Sequence, residues 1–122
     1  MEEGLFKRAA DLIAEARKLV AFSGAGMSAE SGIPTFRDPG GIWDRLNPDE
    51  FGTTGGMISG AARQPNKIKD LIREMVDTFE KALPNPGHLG LAELEQMGIL
   101  RSVITQNIDD LHSQAGNTRV FE

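Results

Sequence analysis

No cysteine occurs among the 122 residues. A disulfide framework and a cysteine-based zinc site within this chain are thereby excluded. Tyrosine is also absent, and tryptophan occurs once, at Trp43. No segment approaches the roughly 18 consecutive apolar residues that a membrane-spanning helix requires. The first residues are acidic with no apolar run behind them, which is not the pattern of a secretory signal. Positive charge is not in excess either, since the formal net charge is −5. Phosphate attraction needs a basic face, so no direct nucleic-acid partner is expected. Lys7, Arg8, Arg17 and Lys18 alternate with acidic residues on one helix and read as a solvated face. These absences lead to the expectation of a cytoplasmic protein with no membrane partner.

What is present is globular. Hydrophobic residues make up 39% and charged residues 25% of a chain sized for one compact domain. Leu5, Ala9, Leu12, Ile13 and Ala16 recur at helical spacing and predict a helix over residues 2–17. Residues 18–23 (KLVAFS) form a short apolar run that ends at a glycine turn, as a buried strand does. A short helix over 24–32 should stop at Pro34. Residues 35–60 are rich in glycine and weakly periodic, so 35–65 reads as a flexible loop. Helical patterns return over 66–83 and 88–97, with Gly98 as C-terminal cap. Residues 101–105 predict a second strand, 109–114 a short helix and 118–122 the start of a third strand. Strands separated by helices imply an α/β fold with a parallel sheet and flanking helices.

Gly24-Ala25-Gly26-Met27-Ser28-Ala29 fits G-x-G-x-x-G/A. Alone the pattern is weak, but here it follows a strand and opens a helix. Gly24 would permit a tight turn, Gly26 would let the backbone approach a diphosphate, and Ala29 would let helix and strand pack closely. The bland alternative is a strand-to-helix turn with no ligand. An ordinary dinucleotide fold also carries an acidic residue about 20 positions on, at the end of a second strand. Asp44 has that separation, but its surroundings (GIWDRLNPDEF) do not read as a strand. That weakens a reading as an oxidoreductase.

Longer segments add to the turn. Residues 24–37 read GAGMSAESGIPTFR, 105–112 read TQNIDDLH and 84–88 read PNPGH. Together they resemble the sirtuins, NAD-dependent protein deacylases, from about residue 3 to the last residue. The resemblance implies a Rossmann-like fold and NAD as co-substrate. It implies removal of an acyl group from lysine, with release of nicotinamide and O-acetyl-ADP-ribose, and an acetylated-lysine protein or peptide as partner. It assigns Gly24, Ala25 and Gly26 to the phosphate turn, with Ser28 and Ala29 beside it. Phe36 matches the aromatic that covers the nicotinamide end, and Arg37 the arginine near phosphates and ribose. Gln106 and Asn107 match the residues that hold the nicotinamide ribose and a water. Ile108 and Asp109 match the carboxamide pocket. A carboxylate at Asp109 can accept from the carboxamide NH₂, although Asp at a helix start also serves as a cap. His88 and His112 match positions other than the catalytic one and are expected to be structural histidines with satisfied hydrogen bonds. Trp43 is equally suited to the core or to the cofactor.

The sequence also departs from the family. The general-base histidine is expected about two residues past Glu122, so no catalytic residue is assigned here. The four zinc-ligand cysteines, and with them the zinc-ribbon module, are absent. No Tyr-x-x-Arg pair occurs in DLIREMV, which favours an uncharged acyl group such as acetyl. The 122 residues therefore read as the front portion of a sirtuin, inactive alone. The alternative is a non-catalytic NAD-binding or self-associating fragment. Missing later strands would leave an open sheet edge, suited to self-association or a partner chain. Residues 1–122 incubated with NAD and an acetyl-lysine peptide should release no nicotinamide; measurable release would refute this truncated reading.

Overall fold

The computed structural model describes residues 2–122. In chain order the elements are α1 (Glu2–Glu15), β1 (Leu19–Ser23), a 3₁₀ helix (Ala25–Ser31), α2 (Ile42–Arg45), α3 (Pro48–Phe51), α4 (Thr54–Arg63), α5 (Pro65–Lys81), α6 (Pro86–Gln96), β2 (Leu100–Thr105), α7 (Leu111–Ala115) and β3 (Val120–Phe121). They form two compact units. One joins the stretch up to Met27 with Pro84–Glu122, and the other is Ser28–Leu83. Among the described residues no helix is long and apolar enough to cross a membrane.

The first unit is built on a parallel sheet in the order β1-β2-β3. Parallel neighbours need crossover connections, which is why helices separate these strands in sequence. Side chains alternate between the two faces. Ala21, Val103 and Val120 lie in register on one face, and Phe22, Ile104 and Phe121 on the other. The first face is covered by α6 and α7, with Val103, Leu100, Ala92 and Leu111 buried. Asn85 caps α6, whose first residue is Pro86, where a missing N–H costs nothing. Gly98 ends it at φ 77°, with its amide on Glu95 O and the Ile99 amide on Leu94 O.

Helix α1 forms where its periodicity predicts, yet none of its residues is buried. Leu5, Phe6 and Leu12 are all more than half exposed. Helical spacing sets which residues share a stripe; it does not supply a partner for the stripe.

The second unit corrects the irregular reading of 35–65. Three short helices lie there, two of them started by a side-chain cap. Asn47 accepts the Asp49 amide ahead of Pro48 and so starts α3. Thr53 accepts the Gly56 amide and starts α4. Leu46, Phe51 and Leu71 make the core, with Ile42, Trp43 and Ile68 packed against it. Arg45–Glu74 and Arg63–Glu50 ion pairs tie helix to helix at the surface, where such pairs contribute little. One glycine that suggested a loop is in fact a packing device: a Cβ on Gly60 would lie 2.1 Å from the Phe51 ring.

Gly60→Ala should therefore destabilise the chain by about 1–3 kcal/mol through overpacking. A Cβ on Gly55, in the same helix, would meet nothing within 4 Å, and Gly55→Ala should be neutral or stabilising by up to about 1 kcal/mol. Urea titration of both variants measures the contrast.

Candidate functional site

The register of the sheet sets Ser23 opposite Thr105 at the carboxyl ends of β1 and β2. Ligands in parallel α/β sheets bind outside these ends. Two loops leave from here, the turn beginning at Gly24 and the segment Gln106–Asp109. They are laced together. The Gln106 amide donates to Ser23 O at 3.1 Å. The Asn107 amide donates to Thr105 Oγ1 at 3.1 Å, and Asn107 Nδ2 to Gly24 O at 2.9 Å. The turn closes through Met27 N on Gly24 O at 3.0 Å. Its far end is held by Asn85, whose Nδ2 donates to Met27 O at 2.8 Å while its Oδ1 accepts the amides of Gly87 and His88.

Neither glycine of the turn is demanded by the protein's own sterics. Gly24 and Gly26 lack a positive φ. A Cβ on Gly24 would make an ordinary 3.5 Å contact with Gln106 Oε1, and one on Gly26 would meet nothing within 4 Å. The expectation that Gly24 serves a tight turn finds no positive φ behind it. What remains is open space above backbone at a strand end, a cradle that side chains would fill.

The 106–109 segment presents mixed surfaces. Gln106 and Ile108 are exposed, Asn107 is half-buried and Asp109 is buried. Asp109 Oδ1 accepts the Leu111 amide at 3.1 Å, so its carboxylate bonds the first amide of α7 from one residue ahead of the cap position. The formal cap of α7, Asp110, is exposed and held at φ 62°, a left-handed conformation that non-glycine residues adopt at a cost.

In the second unit, Ser28 is buried, while Ala29, Phe36 and Arg37 are exposed. The Phe36 and Trp43 rings stand 6.2 Å apart, joined also by Trp43 N on Phe36 O. Trp43 packs against the Leu46–Phe51–Leu71 core, as the first of the two roles open to it requires. Among the described residues no group of three or more His, Asp or Glu could hold a metal ion.

His88 and His112 are both buried, with ring centroids 4.9 Å apart at 65°. His88 Nδ1 accepts the Asn85 amide at 3.2 Å, and His112 Nε2 lies 2.8 Å from Ser23 Oγ. Each therefore has one bonded nitrogen. The other, His88 Nε2 and His112 Nδ1, has no partner, so the expectation of fully satisfied histidines is met only by half. A buried group left unpaired costs about 1–3 kcal/mol. Burial pushes both histidines below the ordinary imidazole pKa; for His88 the neighbouring His112 adds to this, and for both Asp109 pulls the other way. Sequence reasoning missed Ser23, Thr105 and Asn85. The polar Ser and Thr that end two apolar strands, at the same register position, were the available signal.

The model of the Sir2 family matches residues 24–122. An NAD-dependent protein deacylase of Desulfosudis oleivorans is 57% identical over 114 residues, covering 93% of this chain and 42% of that protein. A Sir2 homologue solved as an NAD complex is similar at 42% identity and TM-score 0.76, over 93% of this chain and 43% of that one. A Sir2 variant solved with a deacetylated p53 peptide and 3′-O-acetyl-ADP-ribose is similar at 39% identity and TM-score 0.78, over 95% and 45%. The chain spans less than half the length of these relatives.

The two histidines predict a pH dependence of stability. Their folded pKa values lie below the unfolded value, so the unfolded chain binds more protons as pH falls through that value. Stability should be complete above about pH 6.5 and decline below it, by at most about 1.4 kcal/mol per pH unit for each histidine. Urea midpoints between pH 8 and pH 5 test this; a flat profile would show that the rings accept protons freely when folded.

Proposed function

This chain belongs to the Sir2 family, and from that premise we propose that it forms the NAD-binding front of an NAD-dependent protein lysine deacylase. The observation that carries the reading is the Gly24–Gly26 cradle: two glycines at a strand end with no steric need of their own for glycine. Close approach of a diphosphate to the backbone explains them.

The remaining roles follow the family resemblance. Asn107 and Gln106 hold the ribose that carries nicotinamide. Asp109 accepts from the carboxamide NH₂ and, with Ile108 against the ring, fixes the rotation of the leaving group. The capping bond to Leu111 is compatible with this, since a carboxylate offers about four lone-pair sites. Orienting the leaving group lowers the barrier by positioning. Phe36 excludes water, and Arg37 places a planar cation near phosphate and ribose oxygens. Ser28 and Ala29 complete the cofactor-binding set. Bound NAD supplies the glycosidic bond whose cleavage drives the transfer. An acetyl-lysine protein or peptide is the proposed co-substrate. The cytoplasm is the inferred compartment, on the strength of a cysteine-free composition that suits reducing conditions.

A second reading, self-association, is favoured by one observation. Phe22, Ile104 and Phe121 stand in register on one face of the sheet and are 71%, 42% and 58% exposed. An apolar row of this kind favours covering by another surface.

Gly26→Ala separates cofactor binding from folding. Its unfolding free energy should stay level or rise by up to about 1 kcal/mol. Its affinity for ADP-ribose, read by calorimetry, should fall by at least about tenfold. Unchanged affinity would remove the support for a nucleotide at this turn.

A further inference from the structure

The Ser23 and Thr105 hydroxyls belong to a longer hydrogen-bond chain that begins on a buried histidine. Ser23 Oγ donates to Thr105 Oγ1 at 2.9 Å and lies 2.8 Å from His112 Nε2. With its own proton on Thr105, the serine oxygen accepts from His112. The neutral imidazole then carries its proton on Nε2. Thr105 Oγ1 accepts the Asn107 amide, and Asn107 Nδ2 donates to Gly24 O. The chain thus runs from His112 to both loops at the strand ends. His112, Ser23 and Thr105 are each less than a tenth exposed, so they offer a ligand almost no surface.

The far side of the ring makes no hydrogen bond. With the proton on Nε2, His112 Nδ1 is a bare acceptor, buried and without a partner. His88 Nδ1 accepts from the Asn85 amide, so its proton must sit on Nε2, which is likewise buried and without a partner. A donor on one ring and an acceptor on the other stand on centroids 4.9 Å apart. Asp109 is the charged group that acts on both rings, and it favours their protonation against the opposing effect of burial.

We propose that His112 is a positioning residue: held as its Nε2–H tautomer beside His88, it acts through Ser23 and Thr105 to fix the Asn107 backbone and the Gly24 carbonyl for nucleotide binding. The proposal rests on the reading of the Gly24 turn as an NAD site.

The test uses the 122-residue chain labelled with ¹⁵N, wild type against Ser23→Ala and Ser23→Thr, with the surface variant Lys81→Ala as control. Nitrogen shifts should place His112 in the Nε2–H tautomer. Ser23→Ala should accelerate Asn107 amide exchange and weaken ADP-ribose binding, each by roughly tenfold. Ser23→Thr, which keeps the hydroxyl, should restore both, and Lys81→Ala should change neither. Should Ser23→Ala not fold, Thr105→Val breaks the same chain one link later and carries the same expectations. An Nδ1–H tautomer at His112 overturns the proposal, as do unchanged exchange and affinity in the broken-chain variant. If the wild type binds no ADP-ribose, the NAD reading fails separately. The ligand-free tautomer and Asn107 exchange then decide the coupling, and wild-type exchange in the broken-chain variant overturns it.

Discussion

Parallel pairing of β1 with β2 sets Ser23 beside Thr105, and most of the local order at the strand ends hangs on that one register position. From it the Gly24 turn and the 106–109 segment emerge side by side. The Gln106 and Asn107 amides find their acceptors on Ser23 and Thr105, and the Asn107 side chain bridges to Gly24. A slip of β1 by one residue would carry the Ser23 hydroxyl to the opposite face, where Phe22 now stands. It would separate Ser23 from both Thr105 and His112.

The covered face of this sheet is more polar than a simple core. Ser23, Thr105, His88 and His112 are buried among Val103, Leu100 and Leu111. Apolar replacements of similar shape would remove the two unpaired nitrogens and their cost. The polar set instead gives the loops a fixed hydrogen-bonded base, and a buried polar network specifies one arrangement where an apolar core would tolerate several. Asn85 serves the same end from the other side, joining the start of α6 to the Met27 carbonyl at the end of the glycine turn. The PNPGH segment is thus structural support for the turn, with His88 doing double duty as the capping-box partner of Asn85 and the neighbour of His112.

Legibility in the sequence followed the range of the forces involved. Gly98 was readable as a helix end, and it has a positive φ. The strands were readable because they are short apolar runs bounded by turns. Residues 35–65 read as a loop because their helices are short and the stretch as a whole is rich in glycine. The caps at Asn47 and Thr53 are local signals, but the fit of Gly60 against Phe51 is a contact made only after folding. The exposure of α1 was equally hidden, since periodicity names a stripe and not its partner.

By itself, the sequence determined the element types and the parallel α/β class. Through its long motifs it also determined the family, because periodicity, turn chemistry and motif spacing are properties of neighbouring residues. Only the tertiary structure decided how the site is supported. Ser23 and Thr105 are 82 positions apart, and Ser23 and His112 are 89 apart. No local rule pairs such residues. Strand register and helix packing bring them together, and the low-dielectric interior then makes their hydrogen bonds matter.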